Sequence, residues 1–212
     1  MSKTLPSSPL VYRAFVTAPF GAQHKQKHNK PFISAGAKLL WETLVDELEK
    51  EGIKLPLGLA SGALSEENLA LVFDTLNVKY RFPVKDFIPK HVSRNAESHA
   101  RMKAGVIKAL AYALIHTKPV SATLYLDILN EVKKVIPDLM KSSLYLMGLH
   151  IDDNGGGSLY DHVSVVQAGN RDRNMLCIME LSYGGVSVTG EGKVKVEALK
   201  EACSKWFTAS SR

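Results

Sequence analysis

DHVSVVQAGNRDRNMLCIMELSYGGVSVTGEGKVKVEALKEACSKWF, residues Asp161–Phe207, decides the fold of the C-terminal part of this chain. Its first seven residues alternate and are rich in Val, which suits a half-buried strand. The polar turn AGNRDRN follows, where Gly169 and Asn170 can take positive φ with little strain. MLCIMEL reads as a second strand, and SYGG at Ser182–Gly185 as a hairpin turn. A short third strand, VSVT, runs into GEGKVK. From Val194 the period lengthens from two to about 3.6. Val194, Ala198, Ala202 and Trp206 then share one helical face, with Lys195, Glu197, Lys200 and Glu201 largely away from it. The order is β-β-β-α.

Working outward, the chain has 212 residues, enough for one or two domains with a genuine core. A composition of 45% hydrophobic and 23% charged residues excludes disorder throughout. The net charge of +6 favours an anionic partner. That charge is unevenly spread: residues 1–136 hold 19 Lys and Arg against 12 Asp and Glu, whereas residues 137–212 hold 8 against 9. Cys177 and Cys203 fall in a strand and a helix and read as buried thiols, without the spacing of a zinc site. No apolar run approaches the ~18 residues of a membrane span.

The β-β-β-α order, with GEG before the helix and Ala198 and Ala202 within it, resembles the double-stranded-RNA-binding domain. The family's helix opens with Lys-Lys-x-Ala-Lys; Lys195, Val196, Glu197, Ala198 and Leu199 stand here, with Lys193 and Lys200 close by. Its Gly-Pro-x-His loop corresponds to Gly169-Asn170-Arg171-Asp172, which keeps only the glycine. The match covers roughly 75 residues if Pro137–Ile151 supplies a first helix. RNA contact is then expected from Arg171, Arg173, Lys193 and Lys195. The same pattern also suits a protein-binding scaffold, and the net charge of this half does not favour RNA.

No acid precedes Glu42, while Lys3, Arg13, Lys25, Lys27, Lys30 and Lys38 do. This acid-poor, Ser-containing start resembles a mitochondrial transit sequence, and a basic arm lying along RNA suits it equally. The histidines of HKQKHNK at His24–Lys30 lack metal-ligand spacing. Beyond it, Phe32–Gly52 predicts a long amphipathic helix with Leu39, Leu40, Leu44, Val45 and Leu48 inward, stopped by Gly52. A second is expected from Ser65, its N-cap, to Asn77, with Leu69, Leu71, Val72, Phe73 and Leu76 in the core. Ala96–His116 and Ser121–Val135 follow, and Pro137 closes the series.

This order of helices resembles the ribonuclease III domain. Its Asn-x-x-x-Glu-x-x-Gly-Asp stretch aligns with NKPFISAGAKLL at Asn29–Leu40. SEENLALVF at Ser65–Phe73 mirrors its Ser-Asn-x-x-Leu-Ala helix, and AGVIKALAYAL at Ala104–Leu114 its Asp-x-x-Glu-Ala-Leu-x-Gly-Ala helix. The two domains in this order are usual for the family. The resemblance implies an α+β chain: a basic extension at 1–28, a ribonuclease III-like helical domain at 29–136, and an α-β-β-β-α double-stranded-RNA-binding-like domain at 137–212.

Ribonuclease III chemistry needs clustered carboxylates to hold Mg²⁺. The resemblance places them at Ile33, Ala37, Gly105 and Lys108, none of which is an acid, and an ammonium there repels the cation. No GxSxG or HExxH motif offers other chemistry. Gly155–Gly157 lacks the Lys-Ser/Thr of a phosphate loop and reads as a flexible loop. No catalytic residue, metal or cofactor is therefore expected. From Lys79 to Lys108 eight basic residues face only Asp86 and Glu97. Lys85, Lys90, Arg94, Arg101 and Lys103 of this run are expected to touch phosphate. On net charge, replacing Lys85, Lys90, Arg94 and Arg101 should weaken RNA binding more than replacing the four C-terminal residues.

Such a chain looks like the ribonuclease III-like components of the mitochondrial ribosomal large subunit. That resemblance implies a non-catalytic RNA-binding role in the mitochondrial matrix, with rRNA and neighbouring proteins as partners. The alternatives are a pseudonuclease subunit of a mitochondrial RNA-processing complex, or an active Mg²⁺-dependent endoribonuclease. Ribonuclease III domains pair through an apolar helical face, and Trp41 with its neighbouring leucines is the expected surface.

Overall fold

The computed structural model describes residues 5–17, 28–53, 59–83, 96–117, 122–169 and 175–211. The chain is α+β and divides into two compact units, Met1–Ile53 with Ala60–Ile136, and Lys54–Leu59 with Pro137–Arg212. The helices before Pro137 are α1 (Pro9–Phe15), α2 (Lys30–Lys50), α3 (Leu59–Ala63), α4 (Glu66–Tyr80), α5 (Ala96–His116) and α6 (Ala122–Lys133), with a short α7 (Ile136–Leu139) at the boundary.

Helix α5 is the pivot of the first unit, packing against α1, α2, α4 and α6. Its Ala-rich sequence explains why: Ala104, Val106, Ile107, Ala109, Leu110, Ala111, Ala113 and Leu114 are all buried, and they lie on every side of the helix. Helix α2 meets it with one straight row, Phe32, Gly36, Leu40, Leu44 and Leu48, at i, i+4 spacing. Leu39 and Val45, also expected inward, are half-buried flanks of that row. Gly52 ends the turn after α2 at φ 72°, with its N–H on the Glu49 carbonyl.

Helix α4 is capped by Ser65, whose hydroxyl accepts the Asn68 N–H. Two details differ from the sequence reading. Leu71 is 66% exposed, because it lies two residues from both Leu69 and Phe73 and therefore on the opposite face. Asn77 does not end the helix; it sits one turn inside, and its side chain accepts the Phe82 N–H past the terminus. The actual stop is Arg81, left-handed at φ 53°.

Helix α1 lies within the segment read as a basic extension, yet it belongs to the core. Val11, Ala14, Phe15 and Val16 are buried, and the Phe15 ring meets Phe82 at 5.1 Å. Asn29, itself buried, donates its amide to the Ala14 carbonyl at 3.0 Å, and its N–H to Val16. Seven residues are too short to show a period, so the sequence pattern hides this helix.

The second unit holds α8 (Ser143–Asp153), a 3-10 turn (Leu159–His162), β1 (Val163–Gln167), β2 (Cys177–Tyr183), β3 (Val186–Gly192) and α9 (Lys195–Ser210). The strands form one antiparallel sheet in the order β1-β2-β3, with α9 packed against it and α8 against α9. Gly184 and Gly185, both at positive φ, make the two-residue turn between β2 and β3. Met147, Ile151, Leu159, Leu181, Leu199, Cys203 and Trp206 build the core. The indole of Trp206 donates to the Tyr183 carbonyl at 3.0 Å.

Strand β1 does not alternate as expected. Val166 is the extra residue of a bulge between Val165 and Gln167, and both valines are exposed on this edge strand. Gly169 is not at positive φ either. Its role is close approach, since a Cβ there would come within 2.9 Å of the Cys177 nitrogen. Gly155–Gly157, read as a flexible loop, is a built helix terminus: the Gly156 N–H bonds the Ile151 carbonyl, and the Gly156 carbonyl meets the His162 ring.

Candidate nucleic-acid interface

The four positions where the resemblance expects carboxylates meet where α2 crosses α5. Gly36 is the point of closest approach: a Cβ on it would lie 1.7 Å from the Lys108 carbonyl oxygen. One turn away, a Cβ on Gly105 would touch the tip of Ile33 at 3.2 Å. Ala37 and Lys108 line one cleft beside the same crossing. The crossing is thus walled by Ile33, Ala37, Gly105 and Lys108, none of which can ligate a cation through a carboxylate. Among the described residues, no three His, Cys, Asp or Glu side chains gather closely enough to hold a metal.

The expected phosphate contacts of the helical unit divide in two. Lys85, Lys90 and Arg94 lie outside the described residues. Arg101 and Lys103 are described, and both are already in ion pairs. The Arg101 guanidinium sits 3.3 Å from Glu66 of α4, in an exposed pair of small net effect. Lys103 is held more firmly, 2.6 Å from Asp74 and above the Phe73 ring, with its side chain 17% exposed. Lys79 pairs with Asp127, which also accepts the Tyr80 hydroxyl. Burial first, and then that carboxylate, push the Tyr80 phenol far above its ordinary range. Lys133 bridges Glu47 of α2 and Glu51 at its C-cap. Of the basic run from Lys79 to Lys108, Lys79, Arg101 and Lys103 are therefore engaged in joining helices.

In the second unit Arg171 and Arg173 lie outside the described residues. Lys193 and Lys195 are exposed at the start of α9, and neither forms an ion pair among the described residues. Lys200, one turn further along, is exposed as well. Two acids beside them, Glu197 and Glu201, bond to the backbone. Glu197 accepts the Lys193 N–H at 2.9 Å. Glu201 accepts the Glu191 N–H and pairs with Lys205 at 3.2 Å, while Lys205 also donates to the Thr189 carbonyl. These bonds hold the Glu201 carboxyl below the usual range, the Glu191 N–H contributing most and Lys205 next. They also cap the free edge of β3, which sequence reasoning did not foresee. The result is a local set of three exposed lysines, Lys193, Lys195 and Lys200, interspersed with the exposed Glu191 and Glu197.

The GEG run has a structural explanation. A Cβ on Gly190 would lie 2.1 Å from the Ala198 carbonyl, and one on Gly192 would lie 2.6 Å from the Ala198 nitrogen. The two glycines therefore face α9 and let Ala198 and Ala202 reach the sheet, while Glu191 points the other way. The opposite face of the sheet is polar and hydrogen-bonded to itself: Ser164 and Ser187 both donate to Glu180. A carboxylate side chain at its centre makes this face a poor phosphate surface.

Both cysteines are buried and free, as read from the sequence. Burial pushes the Cys203 thiol up to about 12, so it is no nucleophile. Of the expected pairing surface, Trp41 is 48% exposed, whereas its neighbours Leu40 and Leu44 are buried in the core and do not share it. No described helix is long and apolar enough to cross a membrane. A scan of protein-family models finds no match to this chain, and a search of curated proteins finds none.

Proposed function

We propose that this protein is a non-catalytic RNA-binding scaffold, built from a degenerate ribonuclease III-like domain and a degenerate double-stranded-RNA-binding-like domain. The observation that carries the reading is the α2–α5 crossing. Gly36 packs onto the Lys108 backbone and Gly105 onto Ile33, so positions that the resemblance assigns to one metal site do come together, and no acid stands at any of them. Exposed Lys193, Lys195 and Lys200 on α9 support RNA contact through phosphates. The ribosomal large subunit of mitochondria is the assembly that this make-up resembles. Exposed Trp41 supports a protein partner on α2.

The test is direct. Purified protein mixed with duplex RNA and Mg²⁺ should retain the RNA and leave it intact, and calorimetry should give no stoichiometric, micromolar Mg²⁺ or Mn²⁺ site. Cleavage, or such a site, would overturn the reading. Sedimentation of the native particle, followed by mass spectrometry, separates a ribosomal subunit from an RNA-processing complex.

A further inference from the structure

The sequence contains a single Asn-Gly pair, Asn154-Gly155, and the structure sets it where α8 ends, with Asn154 as the C-cap. Both residues are exposed, and both are hydrogen-bonded. The Asn154 side-chain amide donates to the His150 carbonyl at 2.7 Å, and the Gly155 N–H donates to the Asp152 carbonyl at 3.0 Å. Gly155 sits at φ 69°, where a side chain would be strained. The next residue closes the joint. The Gly156 N–H bonds the Ile151 carbonyl, and the Gly156 carbonyl lies 2.6 Å from His162 Nε2. A carbonyl can only accept, so that nitrogen is the donor.

An asparagine followed by glycine is open to attack by the chain on its own side chain. The Gly155 nitrogen gives its proton to solvent base and bonds Asn154 Cγ; the Cγ–Nδ2 bond breaks, and ammonia leaves. Water then opens the cyclic imide at one carbonyl or the other, giving aspartate or isoaspartate. The net change is amide plus water to carboxylic acid plus ammonia. Glycine favours the step because no Cβ shields its nitrogen. The folded geometry opposes it. At ψ 10° the Gly155 nitrogen nearly eclipses the Asn154 nitrogen and is turned away from Cβ and Cγ. Ring closure requires ψ to swing toward the Cβ side, which breaks the Gly155–Asp152 bond and takes the amide from His150. Two bonds of ordinary net strength slow the reaction roughly ten- to a hundredfold.

The product would act on the same joint. A carboxylate at position 154 cannot donate to the His150 carbonyl. It would follow Asp152 and Asp153 directly and stand at the negative end of the α8 macrodipole. The turn it strains ends beside Ile151, which is fully buried with Leu159 and Trp206 in the core of the second unit.

We propose that Asn154-Gly155 is a deamidation site latched shut by the end of α8, and that its conversion to an acid loosens the joint between α8 and the 3-10 turn. The inference goes beyond the RNA-scaffold reading and does not depend on it. The full chain is incubated at mildly alkaline pH, in buffer and in guanidinium chloride, and peptide mapping by mass spectrometry follows aspartate and isoaspartate at each asparagine. In denaturant Asn154 should react first, and G155A should slow it by roughly tenfold or more. In buffer the wild-type rate at Asn154 should be at least roughly tenfold lower than in denaturant. His162→Ala, which removes the bond to the Gly156 carbonyl, should raise the rate in buffer severalfold and leave the rate in denaturant unchanged. N154D, which carries the product's charge, should lower the urea midpoint of the second unit. Equal wild-type rates in buffer and denaturant, another asparagine reacting first in denaturant, an unchanged rate in H162A, or an N154D protein as stable as wild type would overturn the proposal. Circular dichroism checks that H162A folds, and the wild-type and N154D measurements decide the matter if it does not.

Discussion

Replacing Gly36 by Ala should destabilise the helical unit far more than replacing Gly105 by Ala, although both glycines sit in the same helix crossing. The new methyl on Gly36 would begin 1.7 Å from the Lys108 carbonyl oxygen and 2.6 Å from its carbonyl carbon. An ordinary carbon–oxygen contact needs about 3.3 Å, so α2 and α5 must part by roughly 1.5 Å. Backbone lies on one side and a helix on the other, so no rotamer change relieves the clash. The seam that opens carries Phe32, Leu40, Leu44 and Leu48, all buried. A gap of about 1 Å forfeits up to about half of each contact's attraction, and a buried leucine makes about 40–60 contacts of ~0.1–0.2 kcal/mol. If about half of those contacts face α5, the seam loses several kcal/mol. Partial repacking and the better helix propensity of Ala return about 1 kcal/mol or more. The net cost comes to about 2–4 kcal/mol, within the range of overpacked cores. At Gly105 the methyl meets only the Ile33 Cδ1 at 3.2 Å, which a small side-chain adjustment relieves. That change should stay within about 1 kcal/mol of wild type, in either direction. Urea titration followed by Trp41 fluorescence measures both. A G36A protein as stable as wild type, or a G105A protein as weakened as G36A, would refute the close-approach argument.

Four further outcomes are expected. Deleting residues 1–17 removes buried Val11, Ala14, Phe15 and Val16 and should cost the helical unit roughly 5 kcal/mol or more, read as loss of its cooperative urea transition. NMR titration should place the Glu201 carboxyl below a free glutamate, and Lys205→Ala should raise it only partway, since the Glu191 N–H is the larger cause. Its folded value being lowered, the stability it contributes is present above the unfolded glutamate pKa and is lost as pH falls through the folded one. Cys203 should resist a thiol reagent at pH 8 in the native protein and react only on unfolding, because burial keeps it a neutral thiol. Finally, K193A/K195A should weaken RNA binding more than R101A/K103A, because Arg101 and Lys103 already neutralise Glu66 and Asp74. The salt slope of K193A/K195A should flatten by about 0.9 for each phosphate that the protein no longer neutralises. The reverse order would place the RNA on the helical unit.

The sequence alone determined what is periodic. A change of period from two to about 3.6 at Val194 marks β3 giving way to α9, and the long helices α2, α4, α5 and α6 follow from their apolar spacing. It also determined which residue types stand at Ile33, Ala37, Gly105 and Lys108. Local patterning carries this information because backbone geometry repeats within an element. What only the tertiary structure decided involves residues far apart in the chain. Arg101 meets Glu66 across 35 positions, and Thr43 meets the Tyr125 hydroxyl across 82, so no window of sequence shows which charges are free. Helix α1 is too short to carry a period and is recognisable only by what it buries. The glycines Gly36, Gly190 and Gly192 look like helix or strand weaknesses in sequence, and become points of close approach only once a second element lies against them. Pairing and close approach depend on where distant segments are brought together, and that is settled by packing the whole unit.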